Sequence, residues 1–319
     1  MKVLIFGAGA VGSVLGACLS RAGRDVTLVG RPPHMDAIRR SGLEVENLAG
    51  GPFRLPALDE VPESSEWDRI VLTTKANDIE EAGRALAHRT LHPVPVLAIQ
   101  NGLGIRPRVR RALSSNGWAY ANKWVTRGIG SVPATYLGPG RVRFAGEGEI
   151  TLGDSGERGG LNGFDALLEG TGIRVRVVPS IDREEWKKAL VNAAMNPVTA
   201  DLRIENGRLS EDPYRGHALA LLHEARSVAA SEGFEFTEEE AERELWRICR
   251  ATAPNHSSMW QDLELGRPTE IEAISGAILE IGARHGLPLP HTERAVRRIR
   301  EKAATRRSPG GPPSAGAGA

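Results

Sequence analysis

The chain has 319 residues and a formal net charge of +1, long enough for two domains with separate cores. That charge gives no electrostatic argument for binding nucleic acid or an anionic membrane, and no run of about 18 apolar residues exists to span a bilayer. Its two cysteines, Cys18 and Cys249, exclude a disulfide framework and read as small buried residues, so a cytoplasmic enzyme acting on small molecules is expected.

The first element is a short apolar run, Val3-Leu4-Ile5-Phe6, suited to a buried parallel strand and too short before the next residues to be a signal peptide. It feeds into Gly7-Ala8-Gly9-Ala10-Val11-Gly12, a G-x-G-x-x-G turn, then a helix-like segment from Val11 to Arg21 that Gly23 is placed to stop. A second strand follows at Asp25 to Val29. A glycine turn in that setting lets the backbone approach a pyrophosphate, whose charge sits at the helix N-terminus. The second strand ends at Val29-Gly30-Arg31, with no acid to bond a ribose 2′-hydroxyl. A guanidinium binds a 2′-phosphate, which favours NADPH over NADH, the alternative being that Arg31 is a surface loop residue beside Pro32 and Pro33.

Two further strands, Arg69 to Thr74 and Pro95 to Ile99, end in Lys75-Ala76-Asn77-Asp78 and Gln100-Asn101-Gly102. In a parallel open sheet ligands lie outside the carboxyl ends of the strands, which places Lys75 and Asn101 on the cofactor rim. The plainer alternatives are a loop cation at Lys75 and a tight turn at Asn101-Gly102. From Ala119 to Val178 the pattern is strand-rich, and Arg141 to Phe144 and Glu149 to Leu152 are expected as hairpin strands that extend the first sheet with antiparallel members. Pro179-Ser180 interrupts the pattern. The expected organisation is a dinucleotide-binding domain over residues 1–179, a helical domain over 180–306 and a disordered tail over 307–319 that is Gly, Pro, Ala and Ser from Ser308 onward.

Lys188, Asn192 and Asn196 stand at i, i+4 and i+8, so on a helix they drift only about 80° around the axis among Ala, Leu, Val and Met. One cation and two carboxamides on one stripe suit an oxygen-rich ligand such as a 2-oxo acid. The alternative is a solvated helix face with Asn196 close to a helix end, because Pro197 restricts the residue before it. Farther on, Ser257 or Ser258 ahead of Met259-Trp260 reads either as a helix cap or as a ligand contact. His256 reads as a loop residue, and Glu270 in Thr269-Glu270-Ile271 could be a first-turn helix carboxylate. No His, Cys and carboxylate cluster shows metal-ligand spacing, so no metal is expected.

Taken in order, these motifs resemble the ketopantoate reductase (2-dehydropantoate 2-reductase) family over nearly the whole chain except the tail. The resemblance rests on the glycine turn with Arg31, Lys75 after a strand, Asn101-Gly102, and Trp186-Lys187-Lys188 through Asn192 and Asn196-Pro197. Ser257-Ser258-Met259 and Thr269-Glu270-Ile271 complete it. It implies an α/β fold, with a Rossmann-type dinucleotide-binding domain followed by an all-helical one. NADPH would reduce the C2 carbonyl of 2-dehydropantoate to pantoate, in pantothenate and coenzyme A biosynthesis, with Lys188 as general acid. Glu270 would orient the substrate and the cofactor ribose. Asn101, Asn192, Asn196, Asn206 and Ser258 would hold the substrate, while Gly7, Ala8, Gly9, Ala10, Val11, Gly12, Arg31, Lys75 and Asn101 would hold NADPH. A paralogue reducing another 2-oxo acid, a different two-domain dehydrogenase and a non-catalytic NADPH-binding sensor are the competing readings. The oligomeric state is open, a homodimer included.

Overall fold

The computed structural model describes residues 1–63, 65–153 and 161–307. The expectation of a disordered tail from Ser308 lies outside the described residues. Contacts divide the chain into two compact units, Met1–Glu184 and Glu185–Ala319.

The first unit opens with β1 (Lys2–Phe6), α1 (Ala10–Arg21), β2 (Asp25–Val29), α2 (Pro32–Ser41), β3 (Glu44–Glu46) and β4 (Ala57–Leu58). It continues with β5 (Arg69–Leu72), α3 (Ile79–Arg89), β6 (Val96–Ala98), α4 (Ile105–Ser114), α5 (Ala121–Trp124) and β7 (Val125–Ser131). The last members are β8 (Ala134–Gly138), β9 (Arg141–Phe144), β10 (Glu149–Gly153), α6 (Phe164–Leu168) and β11 (Arg174–Val178). Eight strands form one sheet in the order β11-β10-β7-β6-β5-β1-β2-β4. Val3, Leu4 and Ile5 are fully buried, as a central parallel strand covered on both faces requires. Phe6 is level with Val29 on one side and Leu72 on the other, and Leu72 is level with Ala98. The carboxyl ends of β1, β2, β5 and β6 therefore share one rim. The direction of strand addition reverses between β1 and β5, the place where open α/β sheets bind ligands.

The strand-rich stretch after Ala119 departs from its expected role. Only β10 joins the main sheet in antiparallel fashion, against β7, and β11 joins β10 in parallel. β9 instead forms a hairpin with β8 and pairs in parallel with β3, making a separate three-stranded sheet. Charge explains part of the choice: Arg141 lies 3.0 Å from Glu44 and Arg143 2.7 Å from Glu46, so opposite charges meet across the β3–β9 pair.

The helical region comprises α7 (Ile181–Leu202), α8 (Tyr214–Ser231), α9 (Glu238–Ala251), α10 (Ser258–Glu264), α11 (Ala277–Arg284) and α12 (Pro290–Arg307). From Ala189 to Ala200 every residue of α7 except Asn192 is buried, the pattern of a helix enclosed on all sides. That enclosure carries the helix through Pro197 to Leu202, so Asn196 is not at a helix end. Pro197 supplies no N–H donor, and the Thr199 hydroxyl turns back to the Met195 carbonyl at 2.9 Å beside it.

Candidate functional site

The glycine turn at the rim of the first unit is built by contacts that exclude a side chain. Gly7 has φ +105°, and a Cβ there would stand 2.3 Å from the Thr74 backbone nitrogen. At Gly12 a Cβ would stand 2.6 Å from Thr73 Oγ1, whereas at Gly9 it would meet only the Gly7 carbonyl, at 3.9 Å. Gly7 and Gly12 thus let β1 and α1 close on the segment after β5, and exposed Gly9 leaves the outer face open to a phosphate. Thr73 Oγ1 donates to the Gly7 carbonyl at 2.9 Å and fixes the turn from behind. No side chain caps the first turn of α1, so its N–H groups and positive dipole end suit an anion. Ala8 is buried, and Ala10 and Val11 are half-buried at the start of that helix.

Arg31 is exposed at the N-cap position of α2, two residues past the end of β2. Lys75 and Asn101 are half-buried, each just past its strand. Burial raises the carboxyl pKa of Asp78, while the charges of Arg31 and Lys75 both act to lower it. Glu81 adds to the rise, so Asp78 lies within electrostatic reach of cations from two different strand ends.

Two buried residues that the sequence reading passed over hold this rim. The Gly140 N–H donates to His34 Nδ1 at 2.9 Å, so Nε2 carries the ring proton and donates to Ser13 Oγ at 2.9 Å. His34 thereby ties α2, three residues after Arg31, to α1 and to the β8–β9 turn. Arg127, 3% exposed, donates to the carbonyls of Ala98, Gln100 and Gly128. A cation between the β-branched residues Val125, Thr126 and Ile129 was the available signal for Arg127, whereas nothing in the sequence around His34 marked it.

In the helical unit, Lys188 and Asn192 are half-buried and Asn196 is 4% exposed, so the polar stripe of α7 runs into the core. Asn206 is 4% exposed, its Nδ2 donates to Thr252 Oγ1 at 3.1 Å, and its Oδ1 is a buried acceptor without a partner. An orphaned buried carboxamide oxygen is costly and marks a place where a donor is wanted. The cap of α10 is Ser257, whose Oγ accepts from the Trp260 N–H at 3.3 Å and lies 2.8 Å from Thr199 Oγ1. Ser258 is the exposed first residue of that helix, linked through Ser257 and Thr199 to the turn after Asn196. Glu270 is 6% exposed; its carbonyl accepts from the Ile274 N–H at 3.1 Å, and a π-helical turn follows over Glu272–Gly276. His256 is exposed and stacks on Trp260 with ring centroids 3.7 Å apart. Among the described residues, His223, Glu238 and Glu242 bring potential ligand atoms within 4.8 Å of one another. Glu242 already receives the Trp246 indole N–H and faces Arg215 at 3.8 Å, so the group is an ion-paired surface cluster.

A glycine turn at the switch point of a parallel sheet, with cations on the same rim and a separate helical unit that buries Asn196 and Asn206, defines a dinucleotide-dependent oxidoreductase. Comparison with known proteins narrows the class. Residues 3–157 match the family described as ketopantoate reductase PanE/ApbA, and residues 180–303 match its C-terminal counterpart. The chain is 35% identical to the 2-dehydropantoate 2-reductase of Archaeoglobus fulgidus over 90% of its own length and 92% of that protein's. It is 31% identical to that of Pyrococcus horikoshii, with 91% and 93% covered. The chain belongs to the ketopantoate reductase family. Among solved structures, it is similar to a PanE/ApbA family ketopantoate reductase from Ralstonia eutropha JMP134, with a TM-score of 0.86 and 27% identity over 97% of this chain and 100% of that one. It is also similar to a D-mandelate dehydrogenase solved with NADH and anilino(oxo)acetate, with a TM-score of 0.88 and 25% identity over 96% and 99% of the two chains.

Proposed function

We propose that this protein reduces the C2 carbonyl of 2-dehydropantoate to pantoate with NADPH, the step that commits this carbon skeleton to pantothenate and coenzyme A. The observation that carries the reading is the α7 stripe, on which Lys188 and Asn192 are half-buried and Asn196 is enclosed in the core. NADPH, when bound, supplies the hydride. The N–H groups at the start of α1, from Ala10 to Gly12, hold the pyrophosphate, and Gly7, Ala8 and Gly9 shape the approach. Arg31 takes the 2′-phosphate, and Lys75 and Asn101 complete the rim.

Lys188 donates a proton from Nζ to the oxygen on which negative charge grows, so a cation sits where the charge develops. Asn192, Asn196 and Asn206 orient the substrate through their carboxamides, the Asn206 Oδ1 accepting from a substrate hydroxyl, and Ser258 contributes its own hydroxyl. Glu270 orients the substrate and the ribose. Nothing in this chemistry calls for nucleic acid or a membrane, and no helix among the described residues is long and apolar enough to cross one.

Similarity to a D-mandelate dehydrogenase keeps a second substrate class in play, an aryl 2-oxo acid, because a Lys and carboxamide set recognises the 2-oxo acid and not the rest of the molecule. NADPH oxidation followed at 340 nm with 2-dehydropantoate, 2-oxoisovalerate and phenylglyoxylate separates the two. The highest kcat/KM is expected for 2-dehydropantoate; a preference for phenylglyoxylate overturns the assignment, and no turnover of any of the three overturns the enzyme.

A further inference from the structure

We infer that Arg127 is the positioning residue for the turn that carries Asn101, an inference that rests on the proposed role of Asn101 at the rim. Arg127 lies in β7, level with Ala98 at the end of β6. Its Nη1 donates to the Ala98 carbonyl at 2.9 Å and also to Gly128, and its Nη2 reaches onward to the Gln100 carbonyl at 2.9 Å. Gln100 lies past the last paired residue of β6, so the guanidinium replaces the ladder where the ladder stops.

Gly102 has φ +114° and Gly104 φ +67°, permissive positions on either side of the buried Leu103. The fork thus fixes the carbonyl of the residue immediately before Asn101, at the point where the chain leaves the sheet. Close approach of the two strands makes this bracing feasible, since a Cβ on Gly128 would stand 2.9 Å from side-chain atoms of both Ile99 and Leu97. Gln100 extends the brace: its Nε2 is 3.4 Å from Thr74 Oγ1, next to Lys75. A planar guanidinium holds three carbonyls at once, whereas a lysine offers one point charge to the same space. Burying a cation is costly, and the three carbonyls that accept from it are what hold it there.

The test is a double-mutant cycle on full-length enzyme. Wild type, Arg127→Lys, Asn101→Ala and the double variant are compared by kcat/KM with 2-dehydropantoate and NADPH, by the Kd of NADPH from nicotinamide fluorescence, and by Tm. Misplacement of a substrate-positioning group by about 1 Å costs on the order of 100-fold, so Arg127→Lys is expected to lose about 10- to 100-fold in kcat/KM. The double variant should fall no more than about twofold below the worse single one, because both act through one group. Arg127→Met, which keeps the volume and removes every donor, is the second variant; its Tm should fall, because three buried carbonyls lose their donor, and kcat/KM should fall at least as far as in Arg127→Lys. Losses that multiply in the double variant overturn the inference, as does a lowered Tm with kcat/KM unchanged in either variant. Lys188→Ala is run in parallel: if it turns over normally the proposed function fails, whereas an inactive Lys188→Ala beside a multiplicative cycle removes the role of Arg127 alone.

Discussion

The two units build their sites from opposite materials. At the rim of the first unit the backbone does the shaping: Gly7 and Gly12 are required because Thr73 and Thr74 leave no room for a Cβ. In the helical unit the proposed chemistry lies instead in a few polar side chains on an enclosed helix, which runs on through Pro197. A backbone site tolerates almost no substitution at its glycines and is indifferent to many side chains around it. A side-chain site tolerates backbone variation but loses its chemistry with one atom group. Each expectation below tests that contrast.

The largest effect belongs to the helical unit. Lys188→Ala is expected to lose at least about 100-fold in kcat, the usual value of a positioned acid, with NADPH binding nearly unchanged. Steady-state kinetics and a fluorescence titration check both halves, and loss of NADPH affinity with kcat retained would reverse the division of labour between the units.

Next comes Gly7→Ala, which forces a side chain at φ +105° to within 2.3 Å of backbone. Strain of this kind costs about 1–3 kcal/mol, so Tm should fall and dinucleotide binding should be lost together. An unchanged melting curve would mean that the turn has room the structure does not show.

A smaller and more selective loss is expected at the exposed cation of the rim. Charge-assisted hydrogen bonds contribute about 1.5–3 kcal/mol, so Arg31→Ala should weaken NADPH binding about 10-fold or more. NADH affinity should change less than about twofold, because NADH lacks the 2′-phosphate that the guanidinium would hold. Equal losses for both nucleotides would place Arg31 outside the 2′-phosphate site.

The smallest effect is chemical silence at Cys249. Burial pushes its thiol pKa up to about 11. The thiolate is therefore about a thousandth of the population at pH 8, and native protein should resist iodoacetamide at this residue until it is unfolded. Mass-spectrometric mapping of alkylation in native and urea-treated samples checks it.

How far the sequence could be read follows the same contrast. The glycine turn, the strand ends at Arg31, Lys75 and Asn101, and the polar stripe of α7 are all periodic or local patterns, and local patterns survive in a one-dimensional string. The sheet assignment of β9 is not local. It sets Glu44 and Glu46 opposite Arg141 and Arg143, and Val45 opposite the buried Val142, across about a hundred residues, and no window of sequence contains both strands. The alternative that Pro197 offered, a helix end at Asn196, fails for a related reason: local stereochemistry argues for it, and enclosure of α7 from Ala189 to Ala200 outweighs it. Ser257 and Ser258 are equivalent by composition; the cap falls on Ser257 because its hydroxyl also meets Thr199, 58 residues away.

The sequence by itself determined the class of fold, the dinucleotide turn and the family, because these rest on glycine spacing, strand-helix alternation and ordered motifs. Tertiary structure alone decided which residues brace the site. His34 joins α1, α2 and the β8–β9 turn through one imidazole, and Arg127 closes the end of β6 with one guanidinium. Both act on partners remote in the chain, and both matter because a buried polar group must be satisfied wherever the fold happens to bring it.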